Sequence, residues 1–379
     1  MAEVEFDDNK KAGAWRFVPM FVFAIVMVGG FVATLLSLQK APADTWDGLA
    51  QPKSLADGES TRKFTQALNK HFLLSKPFAQ IERAVFWNLA GDAGNSVRPG
   101  CPGWFFLNDE ITVYPDRLKN AQARAEIVAK VKQQLASKNI KLVVAVVPDK
   151  ARIESAQLCQ LHRSALLSTR MDTWLQELRQ RDIAAIDLSA QLAQIGGPRY
   201  YRTDTHWNEA GANFSAKSIA DWLILKGWLA APAQLADFNQ FPVKVKERPG
   251  DLLRVANLEG LPAAWRPDYE IAQETKVPAV EVNSDDLFGD AGVPAVAVIG
   301  TSFSRTSNFI PFLAQHLGVP VANLAKDGGD FEGAAIAYLD SPQFSQTPPK
   351  VLLWEIPERM LEKPLSKAEL NWQKKLQVK

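Results

Sequence analysis

The run Leu142-Val143-Val144-Ala145-Val146-Val147 has no polar residue to turn towards water, so as a strand it must be covered on both faces. Such a strand needs helices above and below it, which restricts the chain to an α/β arrangement. The segment before it, from about Asp116 to Lys138, has helical spacing with a mixed charged face. The alternation then repeats: helix around Ser168 to Asp182, strand Ile183 to Leu188, helix Asn208 to Lys226, strand Ala295 to Ile299, helix near Phe309 to Leu317. Strand Val351 to Ile356 and a polar helix close the series. This order predicts a doubly wound, mostly parallel sheet.

A second constraint lies at the amino terminus. Residues 17–39 carry no charge and are dominated by Phe, Val, Met, Ile and Leu, more than the ~20 residues a helix needs to cross a bilayer core. They are expected to form one transmembrane anchor. Lys10, Lys11 and Arg16 precede the run while Lys40 and Lys53 follow it, which favours a cytoplasmic segment 1–16 and an exported remainder. A cleaved secretory signal is the competing reading, since Ala41-Pro42-Ala43 offers small residues. The run, however, exceeds the ~7–15 residues of a signal core, and proline is unhelpful at a cleavage site.

Residues 40–60 read as a polar tether and 61–379 as the main domain, opening with helical segments at Arg62 to Leu74 and Ile81 to Ala90. Asp92 to Pro102 reads as loop, followed by a short aromatic strand ending at Leu107. From 227 to 292 the alternation fails among prolines and the charged run Lys244 to Arg248, so this stretch reads as an irregular insertion. The chain has 379 residues, a formal net charge of +1 and 47% hydrophobic residues, enough for a sizeable core and no basis for nucleic-acid binding. Cys101 and Cys159 are its two cysteines. In an exported domain they are expected to form one disulfide, the alternative being two buried thiols. With no His or Cys cluster, a metal site is not expected.

Thr203-Asp204-Thr205-His206-Trp207 places a carboxylate and an imidazole two residues apart; if the segment is extended, both project to one side. None of the other histidines, His71, His162 and His316, has a carboxylate at that spacing. Gly300-Thr301-Ser302 follows the strand at Ala295 to Ile299, and the carboxyl ends of strands in open α/β sheets form ligand crevices. A serine there needs a base and an orienting carboxylate to become nucleophilic. His206 and Asp204 can fill those roles.

These pieces, with Gly103-Trp104-Phe105-Phe106-Leu107, Val147-Pro148-Asp149-Lys150 and Trp354-Glu355-Ile356-Pro357-Glu358-Arg359, resemble the SGNH hydrolase-like alginate O-acetyltransferases of the AlgJ/AlgX type. Asp204 and His206 precede Ser302, which is similar to the permuted order of that family rather than to ordinary SGNH hydrolases. Thr301 replaces the aspartate of their Gly-Asp-Ser block. The resemblance implies Ser302 as nucleophile, His206 as base and acid, and Asp204 as its orienter. It also implies a periplasmic domain held at the inner membrane, with no cofactor of its own.

Its expected partners are an exopolysaccharide acceptor and a multispanning O-acyltransferase supplying acetyl groups. Tyr201, Trp207, Lys150 and Arg305 are the candidates for binding the polymer, with structural or solvated roles as the alternative. An acetylesterase on the same residues and a non-catalytic polysaccharide-binding subunit stay open. So does the polymer: an alginate-like polyanion favours a basic groove, and a cellulose-like glucan favours aromatic platforms. The near-zero net charge and eleven tryptophans lean towards the neutral polymer.

Overall fold

The computed structural model describes residues 17–47, 51–233, 236–280 and 294–378. The expected cytoplasmic segment 1–16 lies outside them, with Lys10, Lys11 and Arg16, as do residues 281–292 of the expected insertion. The chain divides into two compact units, Met1–Glu82 and Arg83–Lys379.

In the first unit the helix Val18–Lys40 is long and apolar enough to cross a membrane. Residues 40–60 are not the plain tether expected. They form a 3-10 turn at Ala43–Trp46 and a helix at Pro52–Ala56, followed by the helix Glu59–His71. The Leu73 N–H donates to Ser37 Oγ at 2.9 Å, tying the end of this hairpin back to the long helix.

The second unit is built on five parallel strands: β3 (Lys141–Val147), β4 (Ala184–Asp187), β7 (Val296–Ile299), β8 (Val321–Asn323) and β9 (Val351–Pro357). Their order is β4-β3-β9-β7-β8, with Ile299 paired to Trp354 and Val147 to Pro357. The apolar runs behave as their composition demands. On β3, Leu142, Val144 and Val146 face the helices Arg117–Ala136 and Arg170–Gln180, whereas Val143, Ala145 and Val147 face Glu209–Leu225 and Phe309–Leu317. The sheet is thus covered on both faces, with β9, last in the chain, at its centre. Within this sheet, β8 is the strand that the sequence pattern does not predict.

Two short antiparallel pairs flank the sheet. β1 (Val97–Pro99) pairs with β2 (Phe105–Leu107), so the expected loop 92–102 contains a strand. β5 (Val243–Arg248) pairs with β6 (Glu270–Thr275). The stretch expected to be irregular therefore holds a hairpin, which makes the charged run Lys244 to Arg248 the exposed edge of a two-stranded ribbon. Cys101 and Cys159 are joined by a disulfide that ties the β1–β2 turn to the segment after β3. The same segment is held by buried Glu358, which accepts from Arg152 at 2.7 Å and Arg163 at 3.2 Å, while buried Asp149 pairs with Arg170. Burial pushes the Glu358 carboxyl up, but the bond to Arg152 and the surrounding guanidinium charges outweigh it and hold it below the usual range.

Candidate active site

The carboxyl end of β7 turns sharply at Gly300-Thr301-Ser302, and Ser302 opens a 3-10 turn, Ser302–Arg305. Glu355, the one charged residue within β9, shapes this turn. Its Oε2 accepts the Thr301 N–H at 2.6 Å and the Ser304 hydroxyl at 3.1 Å, and the Thr301 hydroxyl lies 3.1 Å from each carboxylate oxygen. Burial is the main influence on Glu355 and raises its pKa despite these bonds. As the first residue of its turn, Ser302 has a backbone N–H without an intrahelical partner.

The Ser302 Oγ lies 2.7 Å from His206 Nε2, and His206 Nδ1 lies 2.6 Å from Asp204 Oδ1. Burial pushes the Asp204 carboxyl up, but the His206 hydrogen bond and charge, with Arg248, more than reverse this and hold it well below the usual range. An ionised Asp204 can only accept, so Nδ1 carries a ring proton, and in the neutral ring Nε2 is then the nitrogen left to accept from the serine hydroxyl. The Phe303 ring meets His206 edge-on, with centroids 4.9 Å apart.

Asp204 and His206 are not brought together by an extended segment, the condition under which their spacing alone would put them on one side. They occupy a loop closed by a bridge between Tyr200 and Trp207, in which the His206 N–H donates to Asp204 Oδ1 at 3.0 Å. This local turn, rather than the pleat of a strand, brings the two side chains together.

The loop's backbone is held from three directions. Fully buried Lys150 donates through Nζ to the carbonyls of Phe105 at 2.6 Å, Arg202 at 2.8 Å and Asp204 at 2.9 Å. Glu270 accepts the Arg202 N–H at 2.9 Å. Asp251 Oδ1 accepts the Thr205 N–H at 2.6 Å. From the β5 ribbon, Arg248 donates to Asp204 Oδ2 at 2.9 Å, and the Asp251 N–H reaches the same oxygen at 3.3 Å. The intervening Gly250 runs so near the loop that a Cβ there would lie 1.9 Å from the Thr203 carbonyl oxygen.

Asp251 Oδ2 is 3.7 Å from His206 Nδ1. Burial and the Asp204 charge raise the Asp251 pKa. Asp204, His206 and Asp251 present ligand atoms within 4.8 Å of one another, a grouping a cation can use. In this geometry His206 Nδ1 is committed to Asp204 and Asp251 Oδ1 to Thr205.

Two proposed polymer contacts are corrected by their burial. Lys150 has spent its three donors on backbone oxygens and has no face to a ligand. Trp207 is fully buried, packed on Phe303 and Phe309 with centroids at 5.2 and 5.0 Å, so no sugar ring can stack on it.

Tyr201 and Arg305, in contrast, line a cleft of about 260 Å³ beside Ser302, with Arg248, Lys246, Glu209, Glu274 and Thr306. The Thr306 hydroxyl donates to the Ser302 carbonyl at 2.8 Å. Arg248 stacks on the Tyr201 ring at 4.6 Å. Every cation of this cleft is paired: Arg248 with Asp204, Lys246 with Glu274 at 2.6 Å, Arg305 with Asp327 at 3.0 Å.

Arg248, Asp251 and Glu355 escaped the sequence reading. The lone carboxylate inside the apolar run of β9 was a usable signal for Glu355. Nothing local marked the other two.

Residues 97–358 match a family model described as SGNH hydrolase-like domain, acetyltransferase AlgX. The chain is similar to the probable alginate O-acetylase AlgJ of Pseudomonas fluorescens, 28% identical over 358 residues that cover 92% of this chain and 90% of that one. It is also 28% identical, over 373 residues and 93% of each chain, to the probable alginate O-acetylase AlgJ of Pseudomonas aeruginosa. Among solved structures, the O-acetyltransferase domain of Pseudomonas putida AlgJ matches with a TM-score of 0.62 at 26% identity, covering 75% of this chain and 99% of that one.

Proposed function

The chain belongs to the family of SGNH hydrolase-like acetyltransferases that the AlgX model describes, and from that premise we propose that it moves acetyl groups through Ser302 onto hydroxyls of an exopolysaccharide. The observation that carries this reading is the unbroken hydrogen-bonded line from Ser302 Oγ through His206 to Asp204 at the carboxyl edge of the sheet.

In the first half-reaction His206 Nε2 takes the Ser302 proton as Oγ bonds to the acetyl carbonyl carbon. The tetrahedral intermediate collapses, the bond to the donor's leaving group breaks, and His206 returns the proton to that group. In the second, His206 deprotonates a sugar hydroxyl, which attacks the acetyl-serine; the ester to Oγ breaks and Ser302 regains its proton. Proton transfer of this kind is worth ~10²–10⁴-fold. The Ser302 N–H is the first donor for the oxyanion, a contribution of similar size. Asp204 stays ionised throughout and holds the imidazole in the tautomer each step needs.

The names of the relatives, probable alginate O-acetylases, support alginate as the acceptor, with a cellulose-like glucan as the alternative. The Val18–Lys40 helix fits a single inner-membrane anchor, and the Cys101–Cys159 disulfide fits an oxidising periplasm. Acetyl groups then reach Ser302 from a multispanning acyltransferase in the same membrane. Purified protein given a chromogenic acetyl ester and either alginate or glucan oligomers tests the reading. Acetylated oligomer by mass spectrometry, abolished in Ser302→Ala, is the expected outcome. Release of free acetate alone, with oligomers present, identifies an esterase instead, and activity in Ser302→Ala overturns the role of the serine.

A further inference from the structure

At the opposite edge of the sheet from Ser302, a groove of about 750 Å³ runs beneath the amino ends of β3 and β4. The seven residues of β3 span ~23 Å, so this groove is remote from the nucleophile. Its floor is two half-buried indoles, Trp222 and Trp228, set edge-to-face with centroids 5.2 Å apart. Lys226 Nζ stands 5.6 Å from the Trp222 ring and Lys141 Nζ 5.3 Å from the Trp228 ring. Arg179 and Lys132 complete the rim.

The charges here differ from those of the catalytic cleft. Asp182 is the one carboxylate lining the groove, and it binds Lys132 at 2.9 Å. Among the described residues, Lys141, Lys226 and Arg179 have no carboxylate partner, whereas Arg248, Lys246 and Arg305 beside Ser302 each have one. Lysines that merely snorkel along a surface cover apolar area singly. Two unpaired lysines set over two indoles, with Arg179 lining the same concavity, form a complementary surface for a ligand that is both flat and anionic.

We propose that this groove is a second, non-catalytic binding site for an acidic polysaccharide. Sugar C–H faces lie against the exposed parts of the indoles, while carboxylates meet the ammonium and guanidinium groups. Binding of this kind weakens with salt because the cations are exposed. A polymer held here raises the local concentration of its own hydroxyls near Ser302 without touching the chemistry. The ligand class, though not the groove itself, rests on the polysaccharide reading above.

The test uses the full chain in nanodiscs and the exposed charge reversals Arg179→Glu and Lys226→Glu, combined. In a Ser302→Ala background, calorimetry with a defined decameric oligouronate is expected to show at least tenfold weaker binding in the charge-reversed protein. A cello-oligosaccharide is expected to bind poorly to both. With Ser302 intact, the reversals are expected to raise KM for long uronate polymer and leave hydrolysis of a small acetyl ester unchanged.

Equal oligouronate affinity with and without the reversals overturns the proposal, as does tighter binding of the neutral oligomer. Binding of phosphatidylglycerol vesicles at this face in place of the oligouronate also overturns it. If the wild type acetylates no polysaccharide but the oligouronate still binds at the groove, the functional reading fails and the site stands.

Discussion

Glu355 and Gly300 approach so closely that the carboxylate fills the space where a side chain on residue 300 would begin. A Cβ built there lies 2.5 Å from Oε2 and 2.8 Å from the Glu355 Cβ. The turn that presents Ser302 is therefore cast against a neighbouring strand. Gly300→Ala is expected to displace Ser302 from His206, lowering kcat for a small acetyl ester at least ~10-fold, with ~1–3 kcal/mol lost in denaturant unfolding from overpacking. Wild-type turnover in that variant would show that the turn yields at no cost.

Replacing Glu355 by Gln keeps its volume but substitutes an amide where several donors converge, so a loss of ~1–3 kcal/mol in stability is expected. Because burial raises the Glu355 pKa, the folded protein resists ionising it. Stability of the wild type therefore falls relative to Glu355→Gln as pH rises from the ordinary glutamate value through the folded one. Melting curves taken between pH 4 and 8 read this directly.

For Asp204 the sign is opposite. Its folded pKa lies below its unfolded value, so the stability it contributes is present above about pH 3.9 and is lost as pH falls towards the folded value. Asp204→Asn is expected to flatten the acid limb of the Tm profile below pH 4. It should also reduce kcat by roughly 10⁴, the size seen when an orienting aspartate of a serine triad is replaced. An acid limb as steep as that of the wild type would show that Asp204 is not the group being protonated.

Lys150→Met removes the donor shared by three carbonyls around the Asp204 loop. A drop in kcat of at least ~10-fold is expected, with KM for a small ester nearly unchanged, because the lysine touches the loop and no ligand. Burial depresses the Lys150 pKa to about 8. Its unfavourable charged form is fully present below that value and is relieved between about 8 and the unfolded 10.4. Wild-type stability should thus gain relative to Lys150→Met across that interval, as chemical denaturation at pH 7.5 and 10 will measure.

Reduction of Cys101–Cys159 opens a loop of 58 residues, for which a loss of ~2–4 kcal/mol is expected. Differential scanning calorimetry with and without reductant checks this. An unchanged Tm would mean that the Glu358–Arg152 cluster alone secures the segment.

The sheet was legible because β3 is apolar from Leu142 to Val147 and β9 is apolar but for Glu355, so both have no other place than between two helical layers. Val321–Asn323 was not legible, since three residues at a sheet edge carry too little pattern. Ser302, His206 and Asp204 could be singled out because a strand-end serine, a common turn by itself, stands in one chain with an Asp-x-His pair that supplies the base and carboxylate it needs. Arg248 and Asp251 meet Asp204 across more than forty residues of chain, and only tertiary contact gives them meaning. Lys150 and Trp207 failed as polymer contacts for one reason: polarity and aromaticity can be read from sequence, but the direction in which they are consumed cannot.

Lys150 grips carbonyl oxygens, and every amino acid carries the same carbonyl. The grip is therefore indifferent to the side chain at position 202, which is half-exposed, whereas the lysine is held by its reach and charge. The grip itself thus places no demand on residue type at the positions being held, where Phe105 and Asp204 are fixed by their own packing and hydrogen bonds, and a strict one on the residue that holds them.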